Sequence, residues 1–188
     1  MAIRTFLALD LDASVRRVIA TVAGQLPVGE SKVRWLEPQN LHVTMKFLGD
    51  VPDADVMGIC RAVEDAAAGL EPVEFDVVGL ECTPARGPVK MVWAGVCESG
   101  RTLTNTFAGL ESAMEALGFD VERRAFRPHV TVGRFRYCSD PSGMRQAVAR
   151  LGDEQFGIQS AGEVVVYSSQ LTKQGPVYAA MAHCNLGR

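Results

Sequence analysis

Two spacings of apolar residues follow one another along the chain, strict alternation in some stretches and a repeat every three to four residues in others. Ile3 to Leu9 is apolar and strand-like, and either Asp10 or Asp12 is placed to cap the helix that follows. In that helix Val15, Val18, Ile19 and Val22 recur at helical spacing as far as Gly24. A turn-rich stretch, Pro27 to Glu30, precedes Val33-Arg34-Trp35. From Asp53, a candidate N-cap, Val56, Ile59, Cys60, Val63, Ala66 and Ala67 mark a second helix ending at Gly69. Val73 to Cys82 and Val89 to Cys97 read as strands, joined by a loop with Pro84, Gly87 and Pro88. Leu103, Phe107, Leu110, Met114 and Leu117 form the clearest helical stripe, and Gly118 is its natural terminator. A short helix is expected from Pro141 to Leu151. Two final strands span Glu163 to Leu171 and Val177 to Asn185, separated by Lys173-Gln174-Gly175-Pro176.

Strands and helices are thus interspersed, and one sequence element occurs once in each half. Leu41-His42-Val43-Thr44-Met45 and Pro128-His129-Val130-Thr131-Val132 both carry His-Val-Thr, although the chain has only three histidines. The pattern predicts a pseudo-repeated α+β protein with largely antiparallel sheets. Its 188 residues suffice for one domain of two lobes rather than two independent domains.

Side chains alternate across a strand, so His42 and Thr44 project from one face, and Leu41, Val43, Met45 and Phe47 from the other. His129 and Thr131 likewise oppose Val130 and Val132. Phe47 is accordingly expected in the core. Two such strands facing each other across a cleft would offer an acid and a base. Histidine suits both tasks near neutral pH, because its unperturbed pKa is about 6.5. Threonine hydroxyls can donate to the non-bridging oxygens of a phosphodiester, where charge builds in the transition state. No metal is needed for such chemistry, and activity should be bell-shaped in pH. A metal site on His42 and His129 lacks a carboxylate or cysteine partner at ligand spacing. A lone histidine on a half-buried strand is ordinarily structural, but that account needs the coincidence twice. His183, with no threonine after it, is read as structural, and Trp35 and Trp93 as core or cleft wall. Strict alternation points Arg134 away from His129. Gly133 between them marks a possible bulge that would re-aim Arg134 towards a phosphate.

The formal charge of −3 argues against a protein that coats nucleic acid, though not against a local basic pocket. Arg123, Arg124, Arg127, Arg134 and Arg136 cluster around the second tripeptide. Five cysteines without C-x-x-C spacing read as reduced, mostly buried thiols of a cytoplasmic protein. No apolar run approaches the roughly 18 residues of a membrane span, and the N-terminus meets an acid too early for a signal peptide.

These residues resemble the 2H phosphoesterase superfamily, specifically the RNA 2',3'-cyclic phosphodiesterases once named 2'-5' RNA ligases. The defining H-x-T-x pair is His42-Val43-Thr44-Met45 and His129-Val130-Thr131-Val132. Arg4 to Ala8, Phe47-Leu48-Gly49, Val89 to Gly95, Phe126-x-Pro128, Tyr167 to Leu171 and Gly175 to Tyr178 agree as well. Glycine stands at 133 where the family more often has alanine, a departure expected to leave the chemistry untouched. The resemblance implies one bilobal α+β domain over residues 1–188. Its antiparallel sheets would be related by a pseudo-twofold, with helices outside and a central cleft between the sheets. It implies hydrolysis of RNA 2',3'-cyclic phosphate ends to 2'-phosphates without a cofactor or metal. His42 would be proton donor, His129 proton acceptor, and Thr44, Thr131 and Arg134 the phosphate ligands. The residues themselves give the pair but not which histidine plays which role. The implied partner is RNA with a cyclic phosphate terminus, tRNA halves among the candidates, acted on by a monomer with no protein partner or membrane. Reversible 2'-5' ligation of RNA ends and a non-catalytic RNA-end binding module remain the alternatives.

Overall fold

A computed structural model describes residues 2–172 and 175–187, with Leu171 described by its backbone alone. The turn expected at Lys173-Gln174 lies outside the described residues. The elements are β1 (Ala2–Asp10), α1 (Ala13–Ala23), β2 (Lys32–Trp35), a 3₁₀ turn (Pro38–Asn40), β3 (His42–Pro52), α2 (Asp53–Ala68) and β4 (Val73–Thr83). They continue as β5 (Met91–Cys97), α3 (Thr102–Ala116), β6 (His129–Tyr137), α4 (Pro141–Ala149), β7 (Gln155–Ala161), β8 (Glu163–Leu171) and β9 (Pro176–Asn185). The mixed α+β architecture is the expected one.

All strand pairings are antiparallel, in the order β7-β4-β5-β6-β3-β1-β8-β9, with β2 on the outer part of β6. The order is symmetric about its middle. β9-β8-β1-β3 forms one half and β7-β4-β5-β6 the other. The order β1-α1-β3-α2 recurs as β5-α3-β6-α4. The halves are interlocked, because β4 follows α2 but joins the second half, while β8 joins the first. They meet at a single recorded pair, Val43 opposite Val130 among the described residues. These are the middle residues of the two tripeptides.

Each helix buries one stripe. Val15 and Ile19 of α1, Ile59 and Val63 of α2, Leu103, Leu110 and Met114 of α3, and Met144 and Val148 of α4 share one core with Val43, Met45, Val130 and Val132. Both tripeptide strands therefore turn their valines towards the helices and their histidines the other way. At about 1.5–3 kcal/mol per buried aliphatic side chain, this face fixes how the strands sit. Val18 is 39% exposed and Leu117 46%, because α1 turns one side to solvent and α3 ends before Leu117. Asp53 occupies the first turn of α2, and Pro52 is its N-cap. β7 is not apparent from the sequence. Its buried positions are Phe156, Gln159 and Ala161, only one of them a large apolar residue. Cys138 and Cys184 are buried, Cys60 and Cys82 half-buried and Cys97 exposed, all as free thiols.

One ion pair lies inside this framework. Lys46 Nζ on β3 is 2.6 Å from Glu111 Oε1 on α3, and the two side chains are only 6% and 10% exposed. Lys46 also donates to the Asp120 carbonyl (2.8 Å), and Glu111 Oε2 accepts the Glu122 N–H (2.9 Å). Removing one member leaves a buried charge without its partner, which costs about 3–5 kcal/mol, whereas two apolar replacements are often near neutral. Glu111→Ala should therefore lower urea-unfolding stability by about that amount. Lys46→Met with Glu111→Leu should recover most of it.

Candidate active site

The antiparallel register about Val43 and Val130 sets His42 across from Thr131 and Thr44 across from His129. A cleft of about 2000 Å3 opens over this crossing, lined by His42, Thr44, His129, Thr131 and Arg134 together. The structure thus brings together all five of the residues singled out in the sequence.

Both imidazoles are held in the same way. His42 Nδ1 donates to the Asn40 carbonyl (2.8 Å), and His129 Nδ1 donates to the Arg127 carbonyl (2.9 Å). A carbonyl can only accept, so each neutral ring carries its proton on Nδ1 and keeps Nε2 as an acceptor. The 3₁₀ turn ending at Asn40 places the first of these carbonyls. The second comes from the Arg127-Pro128 approach to β6.

Beyond that bond the two surroundings differ. Phe6 stacks on His42 with centroids 5.0 Å apart, and Tyr178 meets it edge-on at 5.5 Å. Thr44 Oγ1 lies 3.0 Å from His42 Nε2. His129 packs edge-on against Trp93 at 4.5 Å, while Thr131 Oγ1 donates to Met91 Sδ at 3.7 Å. The Arg127 guanidinium lies 4.5 Å from the Trp93 ring centre and pairs with Glu81 at 2.8 Å.

Burial pushes both histidines below their ordinary pKa of 6.5, since an imidazolium loses hydration in this pocket. The backbone carbonyl opposes that shift at each ring. Asp10 further favours the charged form of His42, while Arg16 and the charge of His129 oppose it. At His129 the guanidinium groups of Arg134 and Arg127 favour the neutral ring, and Glu81 opposes them. Asp10, a candidate helix cap by sequence, instead accepts Tyr167 Oη at 2.9 Å and pairs with Arg16 at 3.4 Å. Asp12 takes the cap position without a side-chain bond.

The expected bulge before Arg134 is present. Trp93 pairs with Thr131 and Val92 with Gly133, so Val132 is an extra residue in β6. Val132 and Gly133 are both buried, and Arg134 emerges on the histidine face. The same device lies in β3, where nothing in the sequence signals it. Ala8 pairs with Thr44 and Leu7 with Lys46, so Met45 is an extra residue, and a second, Leu48, follows Phe47. Phe47 is therefore not a core residue, as strict alternation suggested. It is 65% exposed and lines the cleft. Because β3 bulges without a glycine, Gly133 has another reason to be small. A Cβ there would run into ring atoms Cε3 and Cζ3 of Trp35. Trp93 is 6% exposed and serves as both core and cleft wall. Trp35 packs edge-on against Phe135 at 6.0 Å. His183 lies outside the cleft, 2.9 Å from Glu163 on β8. Among the described residues no three of His, Cys, Asp and Glu converge as a metal site, and no helix is long and apolar enough to cross a membrane.

The family model described as LigT like Phosphoesterase matches the chain twice, over residues 9–93 and 95–178. The chain belongs to this family. Each match contains one His-Val-Thr strand. A protein of Methanothermobacter thermautotrophicus named RNA 2',3'-cyclic phosphodiesterase is 33% identical over 96% of this chain and 97% of its own. One of Archaeoglobus fulgidus with the same name is 31% identical over 93% and 96%. Among solved structures, Escherichia coli LigT complexed with 3'-AMP superposes with a TM-score of 0.79 over 100% of both chains, at 21% identity. A Thermus thermophilus protein superposes with a TM-score of 0.81 over 97% of both, also at 21%. These likenesses show the fold.

Gly133→Ala should force Trp35 or the bulge to move. We expect a loss of about 1–3 kcal/mol in urea unfolding, the usual cost of overpacking. Adding Trp35→Leu to that variant should return part of it, and an unchanged midpoint for Gly133→Ala alone would contradict the packing argument.

Proposed function

We propose that this protein hydrolyses 2',3'-cyclic phosphodiester ends of RNA to 2'-phosphomonoesters, with residues 1–188 working as one bilobal unit. The observation that carries the reading is the matched pair of Nδ1–carbonyl bonds. Each turns its Nε2 to the cleft where the two strands cross, that of His129 towards open space and that of His42 beside the Thr44 hydroxyl. The names of the relatives supply the substrate class.

In this mechanism His129 Nε2 accepts a proton from water as the water oxygen bonds to phosphorus. The bond from phosphorus to the 3'-oxygen breaks, and His42 Nε2–H protonates the departing oxygen. The 2'-oxygen keeps the phosphate. Burial lowers both rings alike, and what distinguishes them is the charge beside each: Asp10, opposed by Arg16, favours a protonated acid at His42, while Arg134 and Arg127, opposed by Glu81, favour a neutral base at His129. Thr44 and Thr131 donate to the non-bridging oxygens, and Arg134 meets their charge. No metal enters a step. Ligation is the reverse displacement with a ribose hydroxyl in place of water, and is a side reaction wherever no second RNA end is held. The free thiols fit a cytoplasmic location, and the acting unit proposed is a monomer.

The test is turnover of a short RNA with a 2',3'-cyclic phosphate end by chelator-treated protein. We expect a 2'-phosphate product, and a loss of about 10²–10⁴-fold in each of His42→Ala and His129→Ala. Arg134→Ala should act mainly on KM. Because both histidines are depressed in the free protein, the bell in kcat/KM should centre below pH 6.5. Wild-type rates in either histidine variant, or binding without product, would overturn the reading in favour of a binding module.

A further inference from the structure

One wall of the cleft, as far as Arg127, plays no part in the chemistry above. It is the segment between α3 and β6, which has no helix or strand of its own. Three interactions nevertheless fix its path. The buried Lys46–Glu111 pair holds the Asp120 carbonyl and the Glu122 N–H. Phe126 stacks on Phe107 with centroids 4.0 Å apart and planes 10° from parallel. Arg127 lies over Trp93, the wall of the His129 site. Arg123 and Arg124 lie between the first of these anchors and the second. Both are exposed and line the cleft, and among the described residues neither forms an ion pair.

Two further facts give these arginines a ligand. The cleft is lined by nine Lys and Arg against four Asp and Glu among the described residues, in a chain whose formal charge is −3. Positive charge is thus concentrated here against the overall balance, and such a concentration meets an anion. Second, at about 2000 Å3 the cleft exceeds the roughly 300–1,000 Å3 of a small-molecule site, so it has room beyond one terminal nucleotide. A 2',3'-cyclic phosphate closes the 3' end of its strand, so the chain continues only through the 5'-oxygen. Any second phosphate in the cleft therefore belongs to the linkage on the 5' side.

We propose that Arg123 and Arg124, on an arm clamped by Lys46 and Glu111, form a subsite for the backbone phosphate preceding the cyclic end, which makes an oligonucleotide the preferred substrate over a cyclic mononucleotide. This rests on the hydrolase reading for the position of the cyclic end. The arm carries the strand by charge, without reading its bases. Its fixed path means that little ordering remains to be done when the RNA arrives.

The experiment compares kcat/KM on adenosine 2',3'-cyclic phosphate with that on a short oligonucleotide ending in the same group. Wild type, Arg123→Gln/Arg124→Gln and a control on α2 outside the cleft, Arg61→Gln, are measured over a range of salt. The wild type should prefer the oligonucleotide, and the double variant should lose about tenfold of that preference. The salt slope on the oligonucleotide should fall by about 0.7 for each arginine–phosphate pairing removed. The control should keep both. Equal losses on the two substrates, or an unchanged preference, would overturn the subsite. Anisotropy of the labelled oligonucleotide with His42→Ala protein, with and without the arginine changes, separates the two readings. If wild type turns over neither substrate while the arginine changes still weaken binding about tenfold, the hydrolase reading falls and the arm stands. Unchanged binding removes the arm whatever the turnover.

Discussion

One extra residue directly after each His-Val-Thr decides what the cleft presents. A β-strand alternates its faces without exception until a bulge intervenes, after which every following side chain changes sides. Met45 in β3 and Val132 in β6 are those residues. Before them, valine faces the helices while histidine and threonine face the cleft. After them, Phe47 and Arg134 come round to the same face as the histidines, and the intervening Lys46 and Gly133 stay buried. Without the bulges the cleft would hold two histidines and two hydroxyls but neither the guanidinium nor the exposed ring. Lys46, turned inward, must then be neutralised, and Glu111 does so. The pair in turn fixes the arm along the cleft wall. The buried ion pair and the arm thus follow from the shift in β3, and the lining of the cleft from the shifts in both strands.

The histidines sit where burial and charge oppose each other. A site dry enough to favour proton transfer also discharges an imidazole. Each ring keeps a backbone carbonyl on Nδ1, which opposes that tendency and fixes the tautomer. The two halves then diverge. Phe6, Tyr178 and Asp10 surround His42, whereas Trp93, Arg127 and Arg134 surround His129. Arg127 has two roles there, since its carbonyl orients the ring and its guanidinium stacks on the tryptophan that the ring touches.

Much of this is legible in the sequence, and the exceptions have physical causes. Helices α2 and α3 are plain because Ile59 and Val63, or Leu103, Leu110 and Met114, are large apolar residues at helical spacing. The duplicated tripeptide carries the site. β7 is hidden because Gln159 fills a buried position there. It is 2% exposed and accepts the Asp12 N–H at 2.6 Å, so a polar residue does what the pattern reserves for an apolar one. Gly133 points to the bulge that re-aims Arg134, whereas no glycine announces the same bulge in β3, so alternation misplaces Phe47. The glycine is there for Trp35, and the bulge forms without it. The Lys46–Glu111 pair joins residues 65 positions apart, beyond any local signal.

Within the duplicated frame the two halves are unlike. In a twofold-related pair of identical sites only the bound substrate would tell the two histidines apart. Under the proposed mechanism one ring must arrive charged and the other neutral. The positions following the bulges carry that difference openly, with phenylalanine at 47 and arginine at 134. A guanidinium near His129 favours its neutral form. On the His42 side, the ring at 47 adds no charge, and Asp10 supplies the negative field instead. The fold provides a symmetric frame in which paired carbonyls hold paired imidazoles. A few unpaired substitutions within that frame give the two imidazoles unlike surroundings, and that difference is what the proposed division into acid and base rests on.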